Sequence, residues 1–338
     1  MLARLVLVVV ALLQNGCDSS GGRAAEYELN GQSMGTTYSI KLVDPAAGLD
    51  RDALGVTLAQ ALETLESRLS TYDDDSELSR FNASESTDWI PVSDELCRLV
   101  ESALTISVRT GGAFDVTVGP LVNLWGFGPD GMRNEPPADD SVASLLTLVG
   151  YDKLHTDCDV PALRKDKPLI YIDLSAFAKG YAVDRLAGIL DAQGQRDYLV
   201  EVGGELRLRG HNASGESWAI AVEKPVENSR SVQTVVHLTD CGMATSGDYR
   251  NFFEYHGQRF SHTIDPGTGR PVTHAAAAVT VVRDTAAEAD ALATALLVLG
   301  PEQGLAFAAR EGIAAYFLLR TGAGIEERST GEFAALVN

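Results

Sequence analysis

The chain has 338 residues, 45% of them hydrophobic and 22% charged, enough apolar material for a packed core of one large domain or two smaller ones. Its 47 Asp+Glu against 27 Lys+Arg leave a formal charge of −20. Such a surface repels phosphate backbones and excludes nucleic acid as a partner, so a phosphate-bearing substrate would need local help from a metal or from backbone N–H groups.

The N-terminus reads as a targeting segment. Arg4 supplies one positive charge, and Leu5 to Leu13 is an unbroken apolar run of nine residues. A spanning helix needs about 20, so the run fits the apolar region of a secretory signal over residues 1–16. Gln14-Asn15-Gly16-Cys17-Asp18 follows, ahead of a polar Ser/Gly stretch. A small residue, then Cys, then polar residues resembles a bacterial lipoprotein signal, although Gln14 and Asn15 depart from the usual pattern. The resemblance implies that Cys17 is acylated, that residues 17–25 form the lipidated cysteine and a polar tether, and that a lipid anchor holds the protein to the membrane. Asp18 resembles a retention signal for the inner membrane, so the expected location is there, facing the periplasm. Cys97, Cys158 and Cys241 remain. None forms a CxxC pair and no His sits at zinc spacing. An oxidising compartment permits one disulfide, whose pairing the sequence does not name. Small buried thiols are the expectation.

Leu54, Leu58, Leu62, Leu65 and Leu69 recur at helical spacing and predict a helix over 51–70. Leu96, Leu99, Val100, Ala103 and Leu104 mark a second helix, opened by Ser93 as N-cap and ended by Gly111-Gly112. Gly126 to Asp140 is rich in Gly and Pro and reads as a loop. Leu169 to Leu174 reads as a buried strand, and 176–192 as a helix closed by Gly194. Strands follow at Tyr198–Leu208, Trp218–Val222, Val232–Leu238 and Ala277–Val282. Between the last two lies a hairpin-like region turning at Asp265-Pro-Gly-Thr-Gly269. Thr285 and Glu288 form a capping box for a last helix that Gly300-Pro301 stops. The order is not a repeating βαβ pattern, so the fold class is α+β, with one body over 26–338.

Seven segments carry a resemblance. They are Ser33-Met-Gly-Thr-Thr-Tyr38, Leu69-Ser-Thr-Tyr-Asp73 with Ser79-Arg-Phe-Asn82, Gly111 to Pro120, Ile172 to Tyr181, Val202-Gly-Gly-Glu205, Ala244 to Tyr249 with His262-Thr-Ile-Asp-Pro266, and Asp290-Ala-Leu-Ala-Thr294. Each alone is weak. In this order, together, they resemble the ApbE family, the FAD:protein FMN transferases. The resemblance implies a compact, T-fold-related body with two lobes around a cofactor cleft. It implies cleavage of FAD with Mg²⁺, attachment of FMN to a Thr or Ser of an acceptor protein, and release of AMP. The implied acceptor is a membrane redox complex subunit carrying a D-x-x-[ST]-G-A-[ST]-like motif.

Asp290 and Thr294 stand four apart on one helix face. Alone they would read as a solvent-facing Asp and a Thr bonded back to its own helix. The resemblance makes them Mg²⁺ ligands together with the carbonyl of Ala176. It places Ala113, Phe114 and Asp115 against the flavin dinucleotide, and adds Met34, Tyr72, Asp173 and Ile264 as FAD contacts. Lys179 is assigned to a phosphate, against a plain solvated helix lysine. His262 becomes the base that takes the acceptor's proton, because imidazole titrates in the useful range. Ser246 and Asp248 are weaker candidates, Asp265-Pro266 shapes a turn, and Glu205 receives no chemical role. No Walker A motif is present. Two rival functions share these residues: an FAD pyrophosphatase yielding FMN and AMP, and a lipid-anchored flavin-binding protein without chemistry.

Overall fold

The computed structural model describes residues 24–129, 131, 133–226 and 231–337. The signal segment and Cys17 lie outside the described residues. Ala24 and Ala25, placed in the tether by sequence, are already bonded to the body: Ala24 N–H donates to Ala213 and Ala25 N–H to the Asp44 carboxylate.

Eight strands form one sheet in chain order: Glu26–Ser33, Thr36–Val43, Asp197–Val202, Glu205–Arg209, Cys241–Gly247, Ala276–Arg283, Ala314–Thr321 and Gly324–Ser329. Every neighbouring pair is antiparallel. This bears out α+β. The long helices are excursions from a meander, not crossovers between parallel strands.

Alternate residues of the sheet feed two cores. Ile40, Leu42, Val200, Val202, Val279, Val281 and Phe317 point to one side, where the helices Arg51–Leu69, Ser175–Ala192 and Ala286–Arg310 cover them and the helix Asp94–Arg109 packs on the last of these. Leu206, Leu208, Met243, Val282 and Leu318 point to the other, under the hairpin of Trp218–Glu223 and Val232–Leu238. A smaller lobe has its own apolar cluster of Leu121, Trp125, Val142, Val149, Phe253 and Ile264. The Trp125 indole N–H fixes it by donating to the Gly269 carbonyl at 2.8 Å.

The helices begin where their caps predict. Ser93 Oγ accepts from Leu96 N–H, and Thr285 Oγ1 from Glu288 N–H. The capping box at Thr285 is only half formed, because Glu288 accepts from Arg109 and Arg283 instead. Asp184 completes that helix start, its two oxygens accepting from Ala286 N–H and Ala287 N–H.

The structure corrects four expectations. Gly300-Pro301 kinks the Ala286–Arg310 helix rather than stopping it: Gly300 has φ 74°, and the helix resumes to Arg310. Proline suits the first turn of the resumed segment, where its missing N–H costs nothing. The run expected over Tyr198–Leu208 is two strands folded at Gly203-Gly204, where φ is 62° and 106°. Residues 169–174 belong to no sheet: Leu169 lies in a turn, and Leu174, with φ −103° and ψ 10°, caps the helix that follows. Ile170, Ile172 and Leu174 alternate into the core as in a strand, yet Ile170 N–H donates to the Lys167 carbonyl, the Leu174 carbonyl accepts from Phe177 N–H and Ala178 N–H, and side chains take up Ile172 and the Ile170 carbonyl. Asn82 bonds both Ile172 N–H (2.8 Å) and Ile172 C=O (2.9 Å), and the buried Lys165 donates to Ile170 C=O. Finally, Cys97 and Cys158 are not thiols but a disulfide, their Cα atoms 5.8 Å apart across 61 residues of sequence. Packing of the Asp94–Arg109 helix against the hairpin Leu154–Asp157/Ala162–Lys165 brings them together. Cys241 stays free, its thiol pushed up to about 11 by burial.

Candidate active site

Between the sheet and the smaller lobe lies a cleft of about 810 Å³, at the large end of the roughly 300–1,000 Å³ usual for small-molecule sites. Its floor is set by one close approach. Gly180 in the Ser175–Ala192 helix faces the start of the Ala286–Arg310 helix, and a Cβ there would lie 2.4 Å from the Ala286 carbonyl oxygen. Only glycine lets the helices meet so closely. The bare Gly180 N–H then donates to Asp290 Oδ2 at 3.1 Å.

Around Asp290 the polar groups converge. Lys179 Nζ donates to Glu205 Oε1 at 2.8 Å and lies 4.0 Å from Asp290 Oδ2. Burial pulls the Lys179 ammonium down, but the two carboxylates outweigh it and raise its pKa. Burial raises Asp290, against the pull of Lys179, and pushes Glu205 up to about 7. Thr294, one helical turn beyond Asp290, has its hydroxyl 2.8 Å from that of Ser246. Ala176 departs from helical geometry (φ −90°, ψ 17°), which marks a kink at the start of its helix.

The Gly111–Asp115 loop forms another wall. Gly111 and Gly112 have φ 61° and 85°, so the chain leaves the helix at once. Asp115 lines the cleft, yet its oxygens are taken by Thr117 N–H, Thr117 Oγ1 and Tyr151 N–H at 2.6–2.8 Å. Asp173 accepts from Ser175 N–H at 2.8 Å and so shapes the turn into the helix. Tyr72, 70% exposed, stands at the rim.

His262 closes the far side. Its Nδ1 lies 3.1 Å from the Asn251 carbonyl oxygen, and Phe127 packs edge-on at 6.3 Å. Burial lowers the pKa of His262 and favours the neutral ring. Since a carbonyl only accepts, Nδ1 carries the proton and Nε2 keeps its lone pair. Behind this wall Arg320 grips Asp248 through both carboxylate oxygens, at 2.7 and 2.5 Å.

The ApbE family model matches residues 34–317. The chain belongs to the ApbE family. It is 42% identical over 329 residues to the FAD:protein FMN transferase of Vibrio cholerae, covering 97% of each chain. To that of Escherichia coli K12 it is 40% identical over 327 residues, covering 94% of this chain and 93% of the other. Among solved structures, it is similar to the flavin transferase ApbE from Vibrio cholerae, with TM-score 0.86, 41% identity, and coverage of 93% of this chain and 100% of that one. The apo form of Pseudomonas stutzeri flavinyl transferase ApbE gives TM-score 0.86 at 41% identity, covering 93% of this chain and 97% of that one.

In this ApbE chain the cleft gathers Tyr72, Ala113, Phe114, Asp115, Asp173, Ala176, Lys179, His262, Ile264, Asp290 and Thr294. Met34 does not line it. Met34 has φ 51° in the two-residue turn between the first two strands and packs against the core. Sequence reasoning missed Asn251, Phe127 and Thr245 and left Glu205 without a role. All four line the cleft. For Glu205 the signal was its place directly after the Gly203-Gly204 turn. Asn251 and Phe127 carry no signal of their own, since only folding sets them beside His262.

Proposed function

We propose that this chain is an FAD:protein FMN transferase, which cleaves FAD and attaches its FMN half to a Thr or Ser of another protein. The observation that carries the reading is the meeting, in one cleft, of a neutral His262 with a free Nε2 and an oxygen-rich pocket around Asp290. A base and an electrostatic clamp are what attack on a pyrophosphate needs.

In the reaction, the acceptor's hydroxyl oxygen attacks the FMN-side phosphorus. The bond from that phosphorus to the bridging oxygen breaks, and AMP leaves with the bridging oxygen. His262 Nε2 takes the hydroxyl proton. Nδ1–H stays on the Asn251 carbonyl and holds the ring in the tautomer that can accept it. The Gly111–Asp115 loop and Asp173 shape the walls that hold the dinucleotide, with Tyr72 at the mouth.

The pocket also fits a divalent cation. Its donors are all oxygens: the Asp290 carboxylate, the Thr294 hydroxyl and the Ala176 carbonyl at the helix kink, the donor type Mg²⁺ prefers. Two buried carboxylates, Asp290 and Glu205, face one ammonium, and Glu205 Oε2 is buried without a hydrogen-bond partner. That leaves negative charge for a cation to balance. Bound there, Mg²⁺ would neutralise the pyrophosphate and stabilise charge on the departing phosphate.

We assign the protein to the periplasmic face of the inner membrane, anchored through Cys17, with exported redox subunits carrying a D-x-x-[ST]-G-A-[ST]-like motif as acceptors. The Cys97–Cys158 disulfide supports an oxidising compartment. The test is intact-mass spectrometry of a carrier protein fused to such a motif, after incubation with the enzyme, FAD and Mg²⁺. An FMN adduct on the motif's Thr is expected. Release of free FMN and AMP alone would assign a pyrophosphatase, and intact bound FAD would leave a flavin-binding protein.

A further inference from the structure

Lys179, Glu205 and Asp290 come from three different elements: the Ser175–Ala192 helix, the strand Glu205–Arg209 and the Ala286–Arg310 helix. No local sequence pattern unites them. Packing alone puts the Lys179 ammonium 2.8 Å from Glu205 and 4.0 Å from Asp290. The carboxylate side chains are 5% and 4% exposed. The ammonium is thus hydrogen-bonded to Glu205 but not to Asp290, since 4.0 Å exceeds any hydrogen bond. At that range it still acts by charge, because the Asp290 carboxylate is buried.

We propose that Glu205 is a positioning residue, which holds Lys179 beside Asp290 as a fixed counter-charge, and that the pair sets how tightly the Asp290–Thr294 site holds its divalent cation. The inference rests on the reading of that site as the metal site. Lys179 opposes an incoming cation through like charge. Glu205 offsets this in two ways: its own charge balances the ammonium, and its hydrogen bond keeps the ammonium from closing onto Asp290 and occupying the carboxylate. The arrangement leaves Asp290 bonded to Gly180 N–H on Oδ2 and open to a cation. A pair that served only to stabilise the fold would not change metal affinity in opposite directions when its two members are removed.

The test is binding of Mn²⁺ to the protein without FAD, read by the EPR signal of the free ion, with circular dichroism confirming that each variant folds. Glu205→Gln should weaken binding roughly tenfold and Lys179→Met should tighten it roughly tenfold. The double variant Lys179→Met/Glu205→Gln should return close to the starting affinity. Should Glu205→Gln fail to fold, Lys179→Met and the double variant carry the same prediction. Unchanged affinity in Lys179→Met, or changes of the same sign in both single variants, overturns the inference. Asp290→Ala separates the two layers. Lost binding there, with no effect at Lys179 or Glu205, rejects this inference alone. Undiminished binding there rejects the metal-site reading and this inference with it.

Discussion

His262 Nδ1 lies 3.1 Å from the Asn251 carbonyl oxygen, and the His262 amide N–H donates to that same oxygen at 3.0 Å. One carbonyl thus fixes both the backbone and the ring of the proposed base. His262→Ala should reduce FMN transfer by about 10²–10⁴-fold, the usual worth of a positioned base, while FAD still binds. Acceptor mass and flavin fluorescence titration check the two halves.

Burial is the largest influence on His262, and it lowers the pKa. The charge of Lys179 lowers it further, against the Asn251 bond and Asp248, which raise it. The neutral base therefore persists below the ordinary histidine value of about 6.5. The acid limb of kcat/KM for transfer should fall below that value, and be absent in His262→Ala. The sign for stability is the same. A folded pKa under the unfolded one gives stability that is present above the unfolded value and lost as pH falls through the folded one. A limb at or above pH 6.5 would count against this assignment.

Chelation of the metal, or Asp290→Asn, should slow transfer by on the order of 10²-fold or more, since a cation at a pyrophosphate is worth several kcal/mol. Added Mg²⁺ should reverse the first and not the second. Product AMP, followed by chromatography, gives the rate.

Much of this was legible in sequence because helices announce themselves twice, by period and by cap. The five leucines from Leu54 to Leu69 are all buried, and Ser93 and Thr285 cap as expected. The strands were harder. Ile170, Ile172 and Leu174 alternate like a strand, but what decides strand or not is the partner of each N–H. For Ile172 that partner is Asn82, 90 residues away, and for Ile170 it is the Lys167 carbonyl of a local turn. The turn at Met34-Gly35 places a non-glycine residue at φ 51°, so the first hairpin lacked the usual Asn-Gly signature. The cleft residues that resemblance named lie together, whereas the Glu205–Lys179 pair and Asn251 depend on packing that no motif encodes.

Asn82 joins the smaller helix Glu77–Ala83 to the segment that carries Asp173. Asn82→Ala leaves Ile172 N–H and C=O unpaired in a buried segment, which should cost about 1–3 kcal/mol. Denaturant unfolding checks the loss. Because Asp173 follows directly, FAD affinity should fall as well.

The Cys97–Cys158 bridge closes a loop across 61 residues, and bridges of this kind stabilise by about 2–4 kcal/mol. Cys97→Ala/Cys158→Ala should therefore lower the thermal midpoint. Neither cysteine lines the cleft, so transfer measured well below the midpoint should be unchanged.

In the proposed reaction the phosphorus ends on a protein hydroxyl rather than on water. The most direct measurement is the product balance of one reaction containing the enzyme, FAD, Mg²⁺ and a carrier bearing D-x-x-T-G-A-T. Acceptor-bound FMN and AMP are expected in equal amounts, both abolished by changing the motif's Thr to Ala in the carrier. AMP formed together with free FMN, at a rate indifferent to the carrier, would contradict the proposed reaction.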